Sequence, residues 1–171
     1  MRARRFPAQR HRVCLLLGSN IQPEENLRKA VHFLRQNFRV EQGSGIWESA
    51  AIGSDGPNFL NAAVIIHTSL KPQQLKESYL RPLEALMGRV RTMDKNAPRT
   101  IDIDIVAWDA DIVDVNVWKF AHAAVPVAEL LPCYQSEVTG EYLEQRAAHL
   151  SRVTPVFARR EIPALFSDHR A

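Results

Sequence analysis

Asp102 and Asp104 stand two residues apart in the stretch Pro98-Arg99-Thr100-Ile101-Asp102-Ile103-Asp104. In a β-strand alternate side chains face the same way, so the two carboxylates share one face, and Ile101, Ile103 and Ile105 the other. The isoleucines suit a core. The carboxylates repel each other unless a cation lies between them. Arg99 precedes them, and Arg89, Arg91 and Lys95 lie upstream. Paired carboxylates beside clustered guanidiniums are what Mg²⁺ and a polyphosphate require. The same residues also fit an edge strand with a solvated acidic face. On their own they do not separate the two readings.

The flanking sequence supplies a scaffold. Val13 to Leu17 reads as a buried strand, and Gly18-Ser19-Asn20 turns it toward a helix. Pro23 suits the first helical position, Glu24 and Glu25 favour the positive helix start, and Leu27, Val31, Leu34 and Phe38 follow at helical spacing. The pattern predicts a second strand from Val40 to Glu48, a loop from Ser49 to Asn58 and a third strand from Phe59 to Thr68. Pro72 opens a second helix with Leu75, Tyr79, Leu83 and Leu86 on one face, kinked at Pro82 and ending near Gly88. Strand-helix-strand-strand-helix-strand is the order of the α+β, ferredoxin-like α/β sandwich, an antiparallel sheet with helices packed on it. Beyond Val125 the periodicity weakens.

A chain of 171 residues with 46% hydrophobic content is expected to form one domain with a real core. Residues 13–150 are expected to form it, with 1–12 a basic tail and 151–171 a C-terminal extension without a legible role. No apolar stretch is long enough to span a membrane. Two cysteines, Cys14 and Cys133, make no disulfide framework, and a cytoplasmic location fits. The net charge of +3 comes from the five arginines of residues 1–12; without them 17 basic side chains face 19 acidic ones. The body is therefore not a basic nucleic-acid platform.

Four segments occur in one order: Leu15-Leu16-Leu17-Gly18-Ser19-Asn20, then Gly56-Pro57-Asn58-Phe59-Leu60-Asn61-Ala62-Ala63-Val64, then Glu84 to Arg91, then Pro98 to Asp104. On these the chain resembles the 6-hydroxymethyl-7,8-dihydropterin pyrophosphokinase family, which moves pyrophosphate from ATP to a pterin alcohol in folate biosynthesis. The resemblance implies that Asp102 and Asp104 bind two Mg²⁺ ions, and that Arg89 and Arg99 are catalytic, binding phosphate oxygens. It implies ATP contacts from Glu84, Arg89, Arg91, Arg99 and Ile105. For the pterin it implies Ser49, Ala50, Ala51, Ile52 and Gly53, stacking on Phe59 and on His122 (which a second alignment instead places as the nucleotide histidine), and Asn61, whose carboxamide offers both a donor and an acceptor. ATP and the pterin are the expected partners of a monomer, with no nucleic acid and no membrane.

Three features depart from that pattern. Ala50 and Ala51 replace prolines common in the family, Asn96 stands where a tryptophan is usual, and the segment from Ile112 to Ala121 is shorter. These leave open a weakened or repurposed pterin or nucleotide binder. A ferredoxin-like RNA-binding module would also display a sheet face, but with aromatic and basic residues rather than two aspartates.

Overall fold

The computed structural model describes residues 10–53, 55–90, 93 and 97–166. Arg91, Lys95 and Asn96 lie outside them. The chain forms β1 (His11–Ser19), α1 (Pro23–Asn37), β2 (Arg39–Gly43), β3 (Trp47–Ser49) and β4 (Phe59–Thr68). Then come α2 (Pro72–Leu75), a π turn (Lys76–Leu80), α3 (Arg81–Leu86), β5 (Asp102–Trp108) and β6 (Asp111–Ile112). A 3₁₀ turn (Val115–Trp118), α4 (Ala121–Leu130), α5 (Leu143–Val153) and β7 (Phe157–Ala158) complete it. The antiparallel strands run β6-β5-β1-β4-β3-β7, with β2 also paired to β4. The fold is the ferredoxin-like sandwich.

Alternation along β1 sets the two faces of the sheet. Val13, Leu15 and Leu17 join Val64, Ile66, Ile101 and Ile103 under α1 and α3, against Leu27, Val31, Leu34 and Leu83. Cys14 and Leu16 join Ala63 and Ile65 on the other face, against Ala123, Ala124 and Val127 of α4 and Ala147 of α5. Burial pushes the Cys14 thiol up to about 12, so it is an inert core residue. Between Cys14 and Leu15 the partner on β5 jumps from Ala107 to Ile105. This bulge lets Val106 and Ala107 both pack under α4.

Three details differ from the sequence pattern. The predicted strand from Val40 to Glu48 is two strands. Ser44 breaks it by taking over the ladder to Ala63 with its own N–H (2.9 Å) and its hydroxyl, which accepts from Ala63 N (2.8 Å). The kink predicted at Pro82 is instead a π turn just before it. Arg81 N donates to Lys76 O, a widened bond that relieves the crowding at a proline with no N–H. The turn inserts an extra residue and rotates the helix face. Leu80 is buried, while Leu86, expected on that face, is 81% exposed. Finally, α4 and α5 cover half of the second sheet face, where the sequence left only a weak pattern. A helix buried between a sheet and another helix is apolar all round and has little periodicity to read.

Past α5 the chain returns to the sheet. Phe157 pairs with Glu48 and Ala158 with Trp47. Ile162 and Leu165 are buried in the α1-side core, and the Phe166 ring covers Gly43. No helix among the described residues is long and apolar enough to cross a membrane.

Candidate active site

The half of the second face that α4 and α5 leave open is a cleft. Gly18 pairs with Asn61 on one side and Asp102 on the other, so these three residues form one row across β4, β1 and β5. Leu16 and Asp104 pair in the next row. Gly18 keeps the floor open: a Cβ there would come within 3.3 Å of Asn61 Oδ1 and 3.8 Å of the Phe59 ring.

A cavity of about 160 Å³ rises from this floor. Ser49, Ala50, Ala51 and Ile52 form one wall, Phe59 and His122 flank it, and Arg99, Asp102 and Asp104 close its far end. Gly53, at φ 72°, turns the chain beyond Ile52 and is not among the lining residues. Asn61 is 3% exposed. Its Nδ2 donates to Ser49 Oγ (2.9 Å) and, at 3.3 Å, to Trp47 O, so Oδ1 faces the gap at Gly18. The amide hydrogens are committed to the protein, and Asn61 presents an acceptor to the cleft rather than a donor–acceptor pair. His122 stacks on Phe120 (5.5 Å, 22°), and burial lowers its pKa against the opposing pull of Asp114.

A second cavity, about 260 Å³, meets the first at Arg99, Asp102 and Asp104 and is closed by Lys76, Arg81, Glu84 and Arg89. Both Arg89 and Arg99 pair with the Asp102 carboxylate. Arg89 also meets Glu84 at 2.6 Å. Glu84 is 3% exposed, and its Oε1 accepts from Ile103 N at 2.9 Å, so this carboxylate ties α3 to β5. Asp104 opens to the cleft, but desolvation, then the charges of Asp102, Asp114 and Glu84, push its carboxyl up to about 6, with Arg89 opposing.

Ile105 packs toward the α1-side core and lines neither cavity. Trp118, in the short segment before Ala121, stacks obliquely on Tyr134 and accepts from Arg146 Nε at 2.8 Å through its carbonyl, away from the aspartates. His67 pairs with Glu41 at 2.7 Å at the far end of the sheet. Lys76 and Arg81 are cavity residues that sequence reasoning missed. The π turn changes the helical phase, so no regular spacing would have pointed them at β5.

Among the described residues no three His, Cys, Asp or Glu side chains gather around one point as a metal cage. Mg²⁺ does not need one, because it keeps several waters and binds through one or two carboxylates plus substrate phosphates. Asp102 and Asp104 offer hard oxygen donors on one face, and their mutual repulsion is what a cation relieves. The residues present fit Mg²⁺.

This is the architecture of a small-molecule transferase, with two cavities joined at one acidic pair. The sequence model of the 7,8-dihydro-6-hydroxymethylpterin-pyrophosphokinase (HPPK) family matches residues 14–132, well over half of the chain. The chain belongs to that family. It is 32% identical over 148 residues to the 2-amino-4-hydroxy-6-hydroxymethyldihydropteridine pyrophosphokinase of Bacillus subtilis, covering 80% of this chain and 87% of the relative. It is 30% identical over 151 residues to the Synechocystis protein of the same name, covering 82% and 76%. Among solved structures, Plasmodium falciparum HPPK-DHPS with pterin and p-hydroxybenzoate superposes with a TM-score of 0.66 at 12% identity. That match covers 85% of this chain and only 42% of the longer Plasmodium chain, and it speaks to the fold.

Proposed function

We infer that this chain transfers pyrophosphate from ATP to 6-hydroxymethyl-7,8-dihydropterin, yielding AMP and the pterin diphosphate for folate biosynthesis. The observation that carries this reading is the meeting of two cavities at Asp102 and Asp104. One suits a flat heterocycle and the other a polyphosphate.

The pterin ring enters between Phe59 and His122, which burial keeps an uncharged plate at neutral pH. Its edge meets Asn61 Oδ1 and the backbone of residues 49–53. The hydroxymethyl group then points along the floor toward the aspartates. The triphosphate occupies the second cavity beside Lys76, Arg81 and Arg89. The hydroxymethyl oxygen attacks the β-phosphorus in line and gives up its proton to water. The bond from the β-phosphorus to the oxygen shared with the α-phosphate breaks, and its electron pair leaves with AMP. Arg89 and Arg99 exchange the Asp102 carboxylate for phosphate oxygens as charge moves toward the leaving group. Glu84 holds Arg89 at the entrance meanwhile. Two Mg²⁺ ions held by Asp102 and Asp104 would neutralise the triphosphate and polarise its oxygens.

The test incubates the protein with ATP, Mg²⁺ and 6-hydroxymethyl-7,8-dihydropterin and follows AMP. AMP formation that requires the pterin alcohol is the expected result. Pterin binding without AMP would reduce the chain to a silent binder.

A further inference from the structure

The segment after α5 lies outside the span matched to the family, yet it reaches the wall of the pterin cavity. After β7 pairs with β3, Arg159 N donates to Ile46 O at 2.9 Å. Its Nη1 donates to Glu48 Oε2 at 2.6 Å, and Glu161 holds the guanidinium from the other side. The other oxygen of Glu48, Oε1, accepts from Asn58 Nδ2 at 2.8 Å. Glu48 directly precedes Ser49, and Asn58 directly precedes Phe59. One carboxylate therefore joins the two ends of loop 50–58, and Arg159 fixes that carboxylate. The loop carries Ala50, Ala51 and Ile52, three of the lining residues.

The segment does not depend on the Arg159 side chain alone for its place, since the Arg159 backbone also bonds Ile46 O. Ile162 and Leu165, 6% and 7% exposed, and the β7 backbone pairing hold it as well. Across β3, Glu129 of α4 accepts from Gly45 N and Trp47 Nε1, each at 2.7 Å. β3 is thus held from both sides, and it supplies Ser49 Oγ and Trp47 O, the two acceptors that orient the Asn61 amide.

We propose that Arg159 is a positioning residue for the pterin pocket: through Glu48 it fixes both ends of loop 50–58 and so sets the wall that faces Phe59 and Asn61. The proposal rests on the reading of the first cavity as the pterin site. It touches no reacting atom, so its signature is a change in pterin affinity with turnover spared.

Two measurements on the full chain test it. Hydrogen exchange on the protein without substrates needs no functional assumption. Arg159→Ala should speed exchange in residues 49–58 by about fivefold, the scale of one well-placed exposed ion pair, and leave β1 unchanged. Arg159→Lys should recover part of the protection. In kinetics, Arg159→Ala should raise the pterin KM by about the same factor with kcat and ATP-analogue affinity unchanged. Unchanged exchange in residues 49–58 overturns the proposal. So does a parallel loss of pterin affinity, ATP affinity and Tm, which marks general destabilisation. If the unsubstituted protein binds no pterin while Arg159→Ala still speeds exchange, the pterin reading falls and the Arg159–Glu48 control of the loop stands.

Discussion

Asn20 and Arg99 hold each other by two hydrogen bonds. Asn20 Oδ1 accepts from Arg99 N at 2.7 Å, and Asn20 N donates to Arg99 O at 3.1 Å. The same side chain donates from Nδ2 to Pro57 O at 3.2 Å, at the end of loop 50–58. Asn20 is 5% exposed, so these partners replace water completely. The Gly-Ser-Asn turn after β1 therefore joins the wall of the first cavity to the backbone of Arg99, the arginine proposed to bind phosphate.

Asn20→Ala should accordingly impair both substrates. Losing these part-buried side-chain hydrogen bonds to Arg99 N and Pro57 O costs about 0.5–1.5 kcal/mol each. AMP formation should fall further than the folded fraction, because Arg99 loses its seat. Denaturant unfolding and the AMP assay, run side by side, check this; full turnover by the variant would refute it.

The two aspartates should separate by stability while losing transfer alike. Asp102→Ala removes the shared partner of Arg89 and Arg99 and should destabilise the protein. Asp104→Ala removes a carboxylate repelled by its neighbours and should be neutral or stabilising. Thermal unfolding without Mg²⁺ reads the difference. Equal melting points for the two variants would mean the arginines do not depend on Asp102.

Asn61→Ala should weaken pterin binding by about tenfold, the equivalent of about 1.4 kcal/mol for one lost acceptor. ATP affinity should not change, because Asn61 lines only the first cavity. Calorimetric titration of each ligand distinguishes this from a folding defect, in which both affinities fall.

Acid sensitivity should reside at the opposite end of the sheet. The Arg12 guanidinium, aided by His67, lowers the Glu41 carboxyl from 4.5 to about 2. A carboxyl depressed by folding contributes stability above its unfolded value and loses it as pH falls through the folded one. That contribution should thus disappear between pH 4.5 and about 2. Glu41→Gln should flatten this part of the stability curve and leave turnover at neutral pH intact. An unchanged acid limb in urea unfolding would sink the assignment.

Gly43→Ala should destabilise through a neighbour far away in sequence. Its Cβ would fall 2.0 Å from Phe166 Cδ2. Overpacking of this kind costs about 1–3 kcal/mol. Combining it with Phe166→Ala should cost less than the two single changes together, as a double-mutant cycle would record.

Much of this was legible in the sequence, for physical reasons. The faces of β5 followed from strict alternation in Ile101-Asp102-Ile103-Asp104, because a pleated strand has only one period, and the unbroken apolar run Val13 to Leu17 marked a strand buried on both faces. The juxtaposition of Asn61, Gly18 and Asp102 was not legible, since it depends on pairing register across three strands. The exposure of Leu86 and the inward turn of Lys76 and Arg81 follow from the π turn, which no regular helical spacing encodes. The helix with Pro126 was hidden because nearly all of its faces are buried. Arg159 and Glu48 lie too far apart in the chain for spacing to link them.

The sheet face that carries the site is shared between a core and a cleft. Leu16, 8% exposed, packs under α4 and also lines the first cavity. The floor is thus an extension of the hydrophobic interior, held rigid by strands that must form for the protein to fold at all. A ligand arriving there meets a surface already ordered by folding, so the entropy of organising the site falls on its rim. Sequence change at the rim can therefore retune affinity without touching the scaffold, whereas change at an apolar floor residue such as Leu16 also disturbs the core beneath α4.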